Sequence, residues 1–177
     1  MKLFRNYYKS LSWTEIFKLV ILMVGVIIME IKEYTKERIQ DVVDFELTLR
    51  QEEAGWGWEI DNAYIESVTK SFDDISFKNS LSLLAYDNEK VVGRIDSTMI
   101  CSHFDGSTKA YLDWICVLPS YRHKGVAQGL MSVLRKELKE RGAVDLVGII
   151  AHNKEALSFY HSLENVVIRD EGIWITL

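Results

Sequence analysis

Between Ser120 and Met131 the sequence SYRHKGVAQGLM sets Arg122, His123 and Lys124 directly before a run whose side chains shrink at Gly125, Ala127 and Gly129. A helix start exposes unpaired N–H groups and the positive end of the helix dipole, and small residues let an anion approach that backbone closely. The chemistry that suits this pattern is phosphate binding. It is not a nucleotide P-loop, because Gly125 and Val126 follow Lys124 where that motif needs Ser or Thr after its Gly-Lys pair. The GxGxxG spacing of a dinucleotide site is also absent. Taken alone, the turn fits close helix packing beside a solvated basic loop just as well.

The other reactive side chains narrow the chemistry. Cys101 and Cys116 lie in apolar, strand-like surroundings without CxxC spacing, so they read as buried thiols in a reducing cytoplasm rather than a disulfide framework or zinc ligands. His103, His123, His152 and His161 lack HExxH or related spacing, and no metal is expected. A formal charge of -5 provides no whole-molecule basic field, which argues against duplex nucleic acid as the main partner. With 177 residues, of which 48% are hydrophobic, the chain can bury the core of one domain.

The elements that must carry these residues begin near Glu30. Residues 1–28 stand apart: Leu19 to Met29 is an apolar run behind Lys2, Arg5, Lys9 and Lys18. It is shorter than the roughly 20 apolar residues of a membrane span, and no A-x-A-like cleavage site precedes Glu30 and Lys32. Three readings stay open: an over-called start with Met29 as the true one, a docking helix, or a membrane-surface anchor. Membrane contact is not expected, and the domain is read as residues 29–177.

From there EIKEYT reads as a strand. Lys36 to Gln51 reads as a helix with Ile39, Val42, Val43 and Leu47 on its stripe, and Asp61 to Phe72 as a second with Ile65, Val68 and Phe72. The loop EEAGWGWE separates them. SLSLLAY, VVGRIDSTMICSHF and AYLDWICVL follow as three antiparallel strands joined at DNEK and FDGSTK. Gly125 to Arg141 is an amphipathic helix with Val126, Leu130, Val133, Leu134 and Leu138 on one face and Gly142 as its stop. VDLVGIIA reads as a buried strand. Asn153 can cap a last helix with Ala156, Tyr160 and Leu163 inward, and VVIRDEGIWITL closes as a short hairpin. The order predicts an α/β domain: a mixed, mostly antiparallel sheet with one parallel pair, flanked by helices.

In that setting WICVLPSYRHKGVA followed by HNKEALSFY resembles the GNAT superfamily of acyl-CoA-dependent N-acetyltransferases, over Glu30 to about Val167. The family's R/Q-x-x-G-x-G/A segment, which binds the coenzyme A pyrophosphate, falls on Arg122, His123, Lys124, Gly125, Val126 and Ala127. Its N-x-x-A-x-x-F-Y motif falls on Asn153, Ala156, Phe159 and Tyr160. The resemblance implies acetyl-CoA as co-substrate and a GNAT-like fold whose parallel strands splay apart. Pantetheine would then pair with backbone at Ile115, Cys116 and Val117, Val117 N–H would polarise the thioester carbonyl, and Asn153 would hydrogen-bond the pantetheine arm. Tyr160 would protonate the leaving thiolate. Without the family, Tyr160 reads as a core aromatic.

Three departures bear on the carry-over. His123 stands where glycine is often found, with its side chain expected to point outward. Glu164-Asn165 replaces the usual Gly-Phe. The strand before Asn153 carries no carboxylate, so the general base is sought at Asp113, placed by alternation on the face of Tyr111 and Ile115, then at Asp96 or in a water relay. Trp56, Trp58 and Glu59 are candidate acceptor contacts. Around them Glu52, Glu53, Asp61, Glu66, Asp73 and Asp74 face only Lys70, which favours a cationic amine, small molecule or protein-borne, or else marks a solvated helix face. The expected function is an N-acetyltransferase acting in a ternary complex. A non-catalytic acyl-CoA-binding or regulatory module is the alternative, and a homodimer is compatible with either.

Overall fold

Alternating apolar positions and left-handed turn residues build a meander before any crossover is needed. The computed structural model describes residues 29–151 and 153–168, so the readings of residues 1–28, of His152 and of residues 169–177 lie outside the described residues. Strands β1 (Glu30–Glu33), β2 (Ser80–Asp87), β3 (Lys90–Cys101), β4 (Thr108–Val117) and β5 (Asp145–Gly148) lie side by side in chain order. Neighbours among β1 to β4 are antiparallel, and β4 and β5 form the one parallel pair in this sheet. Helices α1 (Ile39–Glu52) and α2 (Asn62–Ser71) follow β1, α3 (Val126–Glu140) makes the crossover from β4 to β5, and α4 (Lys154–His161) follows β5. Among the described residues no helix is long and apolar enough to cross a membrane, and no His/Cys/Asp/Glu cluster could hold a metal ion.

The crossover helix is the most regular part. Val126, Leu130, Met131, Leu134 and Leu138 are all buried, each contributing about 1.5–3 kcal/mol by leaving water. It lies hard against β3 because Gly93 has no side chain: a Cβ there would sit 2.8 Å from Val126 Cγ1 and 3.1 Å from Leu130 Cδ1. Gly142, at φ +89°, ends the helix in the left-handed conformation that glycine adopts without a steric penalty.

Helix α1 departs from its sequence reading. Its buried residues are Val42, Val43, Phe45, Glu46 and Leu49, while Leu47 is 43% exposed. The reason is a carboxylate on the inner face. Glu46 is buried against the sheet, where Arg50 reaches it at 2.7 Å and Arg94 at 3.5 Å. Arg94 also approaches Asp96 at 2.7 Å and stacks over Tyr34 at 5.2 Å. Burial alone would lower the Arg94 pKa, but Asp96 and Tyr64 beside it raise it overall, so the guanidinium stays charged. A periodicity count that skips charged residues misses this face.

Other expectations also need correction. The segment VDLVGIIA is not a buried strand: β5 has four residues, and Val147 and Ile149 are 55% and 50% exposed. It is the last strand of the described sheet, so no described strand pairs with its outer edge. Cys116 is buried as expected, but Cys101 is exposed, because it is the last residue of β3, at the strand's solvent-facing end. Of the closing hairpin, Val166 to Ile168 have no regular structure.

Candidate functional site

The site begins where the parallel pair ends. Pairing of β4 with β5 runs from Lys109–Asp145 to Leu112–Gly148 and stops, although β4 continues to Val117. On the other side β4 stays paired with β3 as far as Val117–Gly93. Leu118 N–H donates to Val92 C=O at 3.0 Å, which fixes the phase of the antiparallel ladder. It makes Val117–Gly93 and Ile115–Ile95 the non-hydrogen-bonded pairs. The main-chain groups of Ile115 and Val117 therefore point away from β3 into the gap. Those of Cys116 are spent on β3, and burial pushes its thiol up to about 12. Of the three residues expected to pair with a pantetheine arm, Ile115 presents both backbone groups and Val117 its N–H, the Val117 C=O being taken by Arg122 Nε.

A cleft of about 1210 Å³ occupies this gap. It is lined by Asp113, Ile115, Cys116 and Val117 of β4, by Arg122, His123, Val126 and Ala127 of the following turn and helix, by Asn153 and Tyr160, and by Trp56. Lys124, Gly125, Trp58 and Glu59 are not among its lining residues.

At the turn, His123 has φ +60° and Gly125 φ +82°. Two left-handed residues so close together bend the chain from the extended Arg122 into α3, and no side chain caps the first-turn N–H groups of that helix. The arrangement leaves a set of backbone donors for an anion. Gly125 meets a conformational rather than a spatial demand, since an added Cβ would find no heavy atom within 4 Å. At Gly129 a Cβ would make only an ordinary contact, 3.6 Å from Ile31 Cδ1. The His123 side chain points outward at 85% exposure. Lys124 Nζ lies 4.8 Å from the Tyr121 ring centroid.

Arg122 is not a free cation. Its Nε donates to Val117 C=O at 3.2 Å, Glu53 binds it at 2.7 Å and Glu155 at 3.4 Å. The Glu53 hydrogen bond is the main cause of its raised pKa. The guanidinium thus ties the end of α1, the strand end and the start of α4 together. These partners lie 69 and 33 residues from Arg122 in the chain, so no local pattern signals them.

Asn153 caps α4, its Oδ1 accepting from Ala156 N–H at 2.8 Å. That cap is worth about 1 kcal/mol and leaves the amide NH2 to face a ligand. Tyr160 is half-buried, packs edge-on against Phe159 at 5.0 Å, and burial raises its pKa above the ordinary phenol value. Asp113 lies at a bulge: Asp96 pairs with Trp114 and Ser97 with Leu112, leaving Asp113 unopposed. The expected alternation therefore resets there. Tyr111 shares a face with Trp114, and Ile115 lies on the opposite face with Leu112, while Asp113 is exposed in the cleft.

Trp114 joins Trp56 and Trp58 in an edge-packed triangle, with centroids 5.5 Å apart for Trp56–Trp114, 5.6 Å for Trp58–Trp114 and 6.1 Å for Trp56–Trp58. The sequence pattern points to Trp56 and Trp58 and does not signal Trp114. Most acidic residues expected to face the acceptor have local partners instead. Glu52 accepts from Ser120 N–H and Oγ, each at 3.0 Å, Glu53 binds Arg122, and Asp61 caps α2 through Tyr64 N–H at 2.9 Å. Glu66 faces Lys70, Asp73 pairs with Lys36, and Asp74 accepts from Ser76 N–H.

Residues 30–164 match a family model described as the acetyltransferase (GNAT) family. None of the curated proteins compared matches the sequence. Among solved structures, the aminoglycoside acetyltransferase meta-AAC0020 from an uncultured soil metagenomic sample superposes with a TM-score of 0.70 at 16% identity, over 84% of this chain and 96% of that one. The ribosomal-protein-alanine N-acetyltransferase of Brucella melitensis biovar Abortus 2308 gives 0.66 at 18%, over 84% and 97%. AAC(6')-Iy in complex with the bisubstrate analog CoA-S-monomethyl-acetylneamine gives 0.65 at 18%, over 84% and 97%. At these identities the likeness is one of fold.

Proposed function

We infer the reaction from one premise: the chain belongs to the acetyltransferase (GNAT) family, with residues 30–164 spanning the match. We propose that it transfers an acetyl group from acetyl-CoA to a primary amine by direct attack in a ternary complex. The observation that carries this reading is the parting of β4 from β5, which leaves Ile115 N–H and C=O and Val117 N–H facing an open cleft, Val117 C=O being held by Arg122.

The residues present fit the co-substrate. An open strand edge suits an arm containing amides, which can pair with it as an added half-strand. The uncapped N–H donors at the start of α3 suit a pyrophosphate, and Asn153 NH2 can donate to the arm between them. Acetyl-CoA supplies a thioester activated toward amines.

The chain supplies position and protons. Holding both reactants along one edge converts a bimolecular encounter into a local one. Val117 N–H is oriented to polarise a carbonyl lying along that edge. Tyr160 keeps its phenolic proton at neutral pH and gives it to the departing thiolate as the C–N bond forms and the C–S bond breaks. The proton that the amine sheds leaves through Asp113 or water.

Free-thiol release measured over a broad amine panel tests this. Amine-dependent release is the expected result. A protein that binds coenzyme A yet releases no thiol with any amine would instead be a non-catalytic acyl-CoA-binding module.

A further inference from the structure

The acceptor half of the cleft has a character that the acidic sequence around it does not suggest. Of the seven carboxylates from Glu52 to Asp74, six are engaged in hydrogen bonds, caps or ion pairs, and Glu59 is outside the cleft lining. Within the cleft, Glu53 and Glu155 are both committed to Arg122. Lys154 adds positive charge to the lining. Asp113 is the lining carboxylate that makes no hydrogen bond or ion pair with a described residue.

Beside that single carboxylate the walls are indole. Trp114, the next residue on β4, and Trp56, from the α1–α2 loop, both line the cleft, with Trp58 packed behind them. The wall is held in place by the buried charge network. Arg50 donates to Trp58 C=O at 3.1 Å, lies 5.1 Å from the Trp58 ring centroid, and is itself anchored by Glu46. Such rings offer apolar area and ring-edge contacts at low entropic cost, because their support is already fixed.

The geometry points to an acceptor with one primary amine on a flat apolar body, an arylalkylamine in chemical class, with its ammonium toward Asp113 and its ring against Trp56 and Trp114. This rests on the acyl-transfer reading above. A polycation is disfavoured, because its second and third ammonium groups would meet carboxylates already committed to Arg122, or Lys154 itself.

The test compares 2-phenylethylamine, propylamine, spermidine and kanamycin by thiol release, with amine binding followed separately through tryptophan fluorescence. The expected kcat/KM for 2-phenylethylamine exceeds each of the others by about tenfold or more. Trp114→Ala is expected to raise KM for 2-phenylethylamine about tenfold, with little change for propylamine and unchanged acetyl-CoA affinity. Trp114→Phe, a milder change that protects the fold, should retain most of the preference. Higher kcat/KM for spermidine or kanamycin overturns the proposal and leaves acyl transfer intact. So does a Trp114→Ala enzyme whose preference for 2-phenylethylamine over propylamine is unchanged. If no amine releases thiol, acyl transfer fails, and fluorescence decides the ligand class: saturable 2-phenylethylamine binding supports it, and none overturns it.

Discussion

On the proposed donor side of the cleft, Ile115, Val117 N–H and the start of α3 offer main-chain groups, so backbone direction and φ decide what fits. On the proposed acceptor side, Trp56, Trp114 and Asp113 offer indole faces and one carboxylate, so residue type decides. A site made of backbone tolerates sequence change as long as the path of the chain is kept. His123 illustrates this: it holds φ +60° with its side chain in solvent, where the family often has glycine. A site made of side chains changes ligand with each substitution. At 16–18% identity the solved structures share this chain's fold.

The largest expected effect falls where the halves meet. Tyr160→Phe should lower kcat about 100-fold or more while acetyl-CoA affinity stays unchanged, as for loss of a general acid. An unchanged kcat would remove Tyr160 from the reaction. Next, Gly125→Val should weaken acetyl-CoA binding about tenfold, because a β-branched residue at φ +82° distorts the start of α3. Gly125→Asn, which adopts this conformation more readily, should lose less. Calorimetric titration that finds equal affinity for both variants and wild type would contradict a backbone-built donor site.

A smaller effect tests the support of the donor half. Gly93→Ala places a Cβ 2.8 Å from Val126 Cγ1 and should cost about 1–3 kcal/mol in denaturant unfolding. Val126→Ala in the same chain should recover part of that loss. The mildest test concerns Cys116, whose thiol ionises near pH 12 in the native state against about 9 when unfolded. The native state then holds its proton longer, so this contribution to stability is complete below pH 9 and declines from about pH 9 to 12. Stability that rose over that interval in wild type relative to Cys116→Ala would contradict the burial.

The turn, strand end and caps proposed to hold the donor are largely legible in the sequence because their demands are local. A strand end, a left-handed glycine, a helix start and an Asn cap each occupy adjacent residues, and each leaves a mark such as Gly125 or the Asn153 to Ala156 spacing. The meander and crossover were readable from periodicity for the same reason. The acceptor half depends on contacts between distant segments. Trp114 meets Trp56 only after β4 docks under the α1–α2 loop, and Glu53 finds Arg122 across 69 residues. The face of Asp113 was misread because a bulge breaks the alternation of a strand. Glu46 was passed over because a buried carboxylate makes sense only once Arg50 and Arg94 are in place.

Residue-resolved amide hydrogen exchange, with and without acetyl-CoA, most directly tests the claim that the open edge of β4 is the donor site. The amides of Ile115 and Val117 should exchange readily in the free protein and become protected on binding, together with those of Val126 and Ala127, whereas Cys116 should already be protected by β3. Protection that appears elsewhere and leaves Ile115 and Val117 unchanged would contradict it.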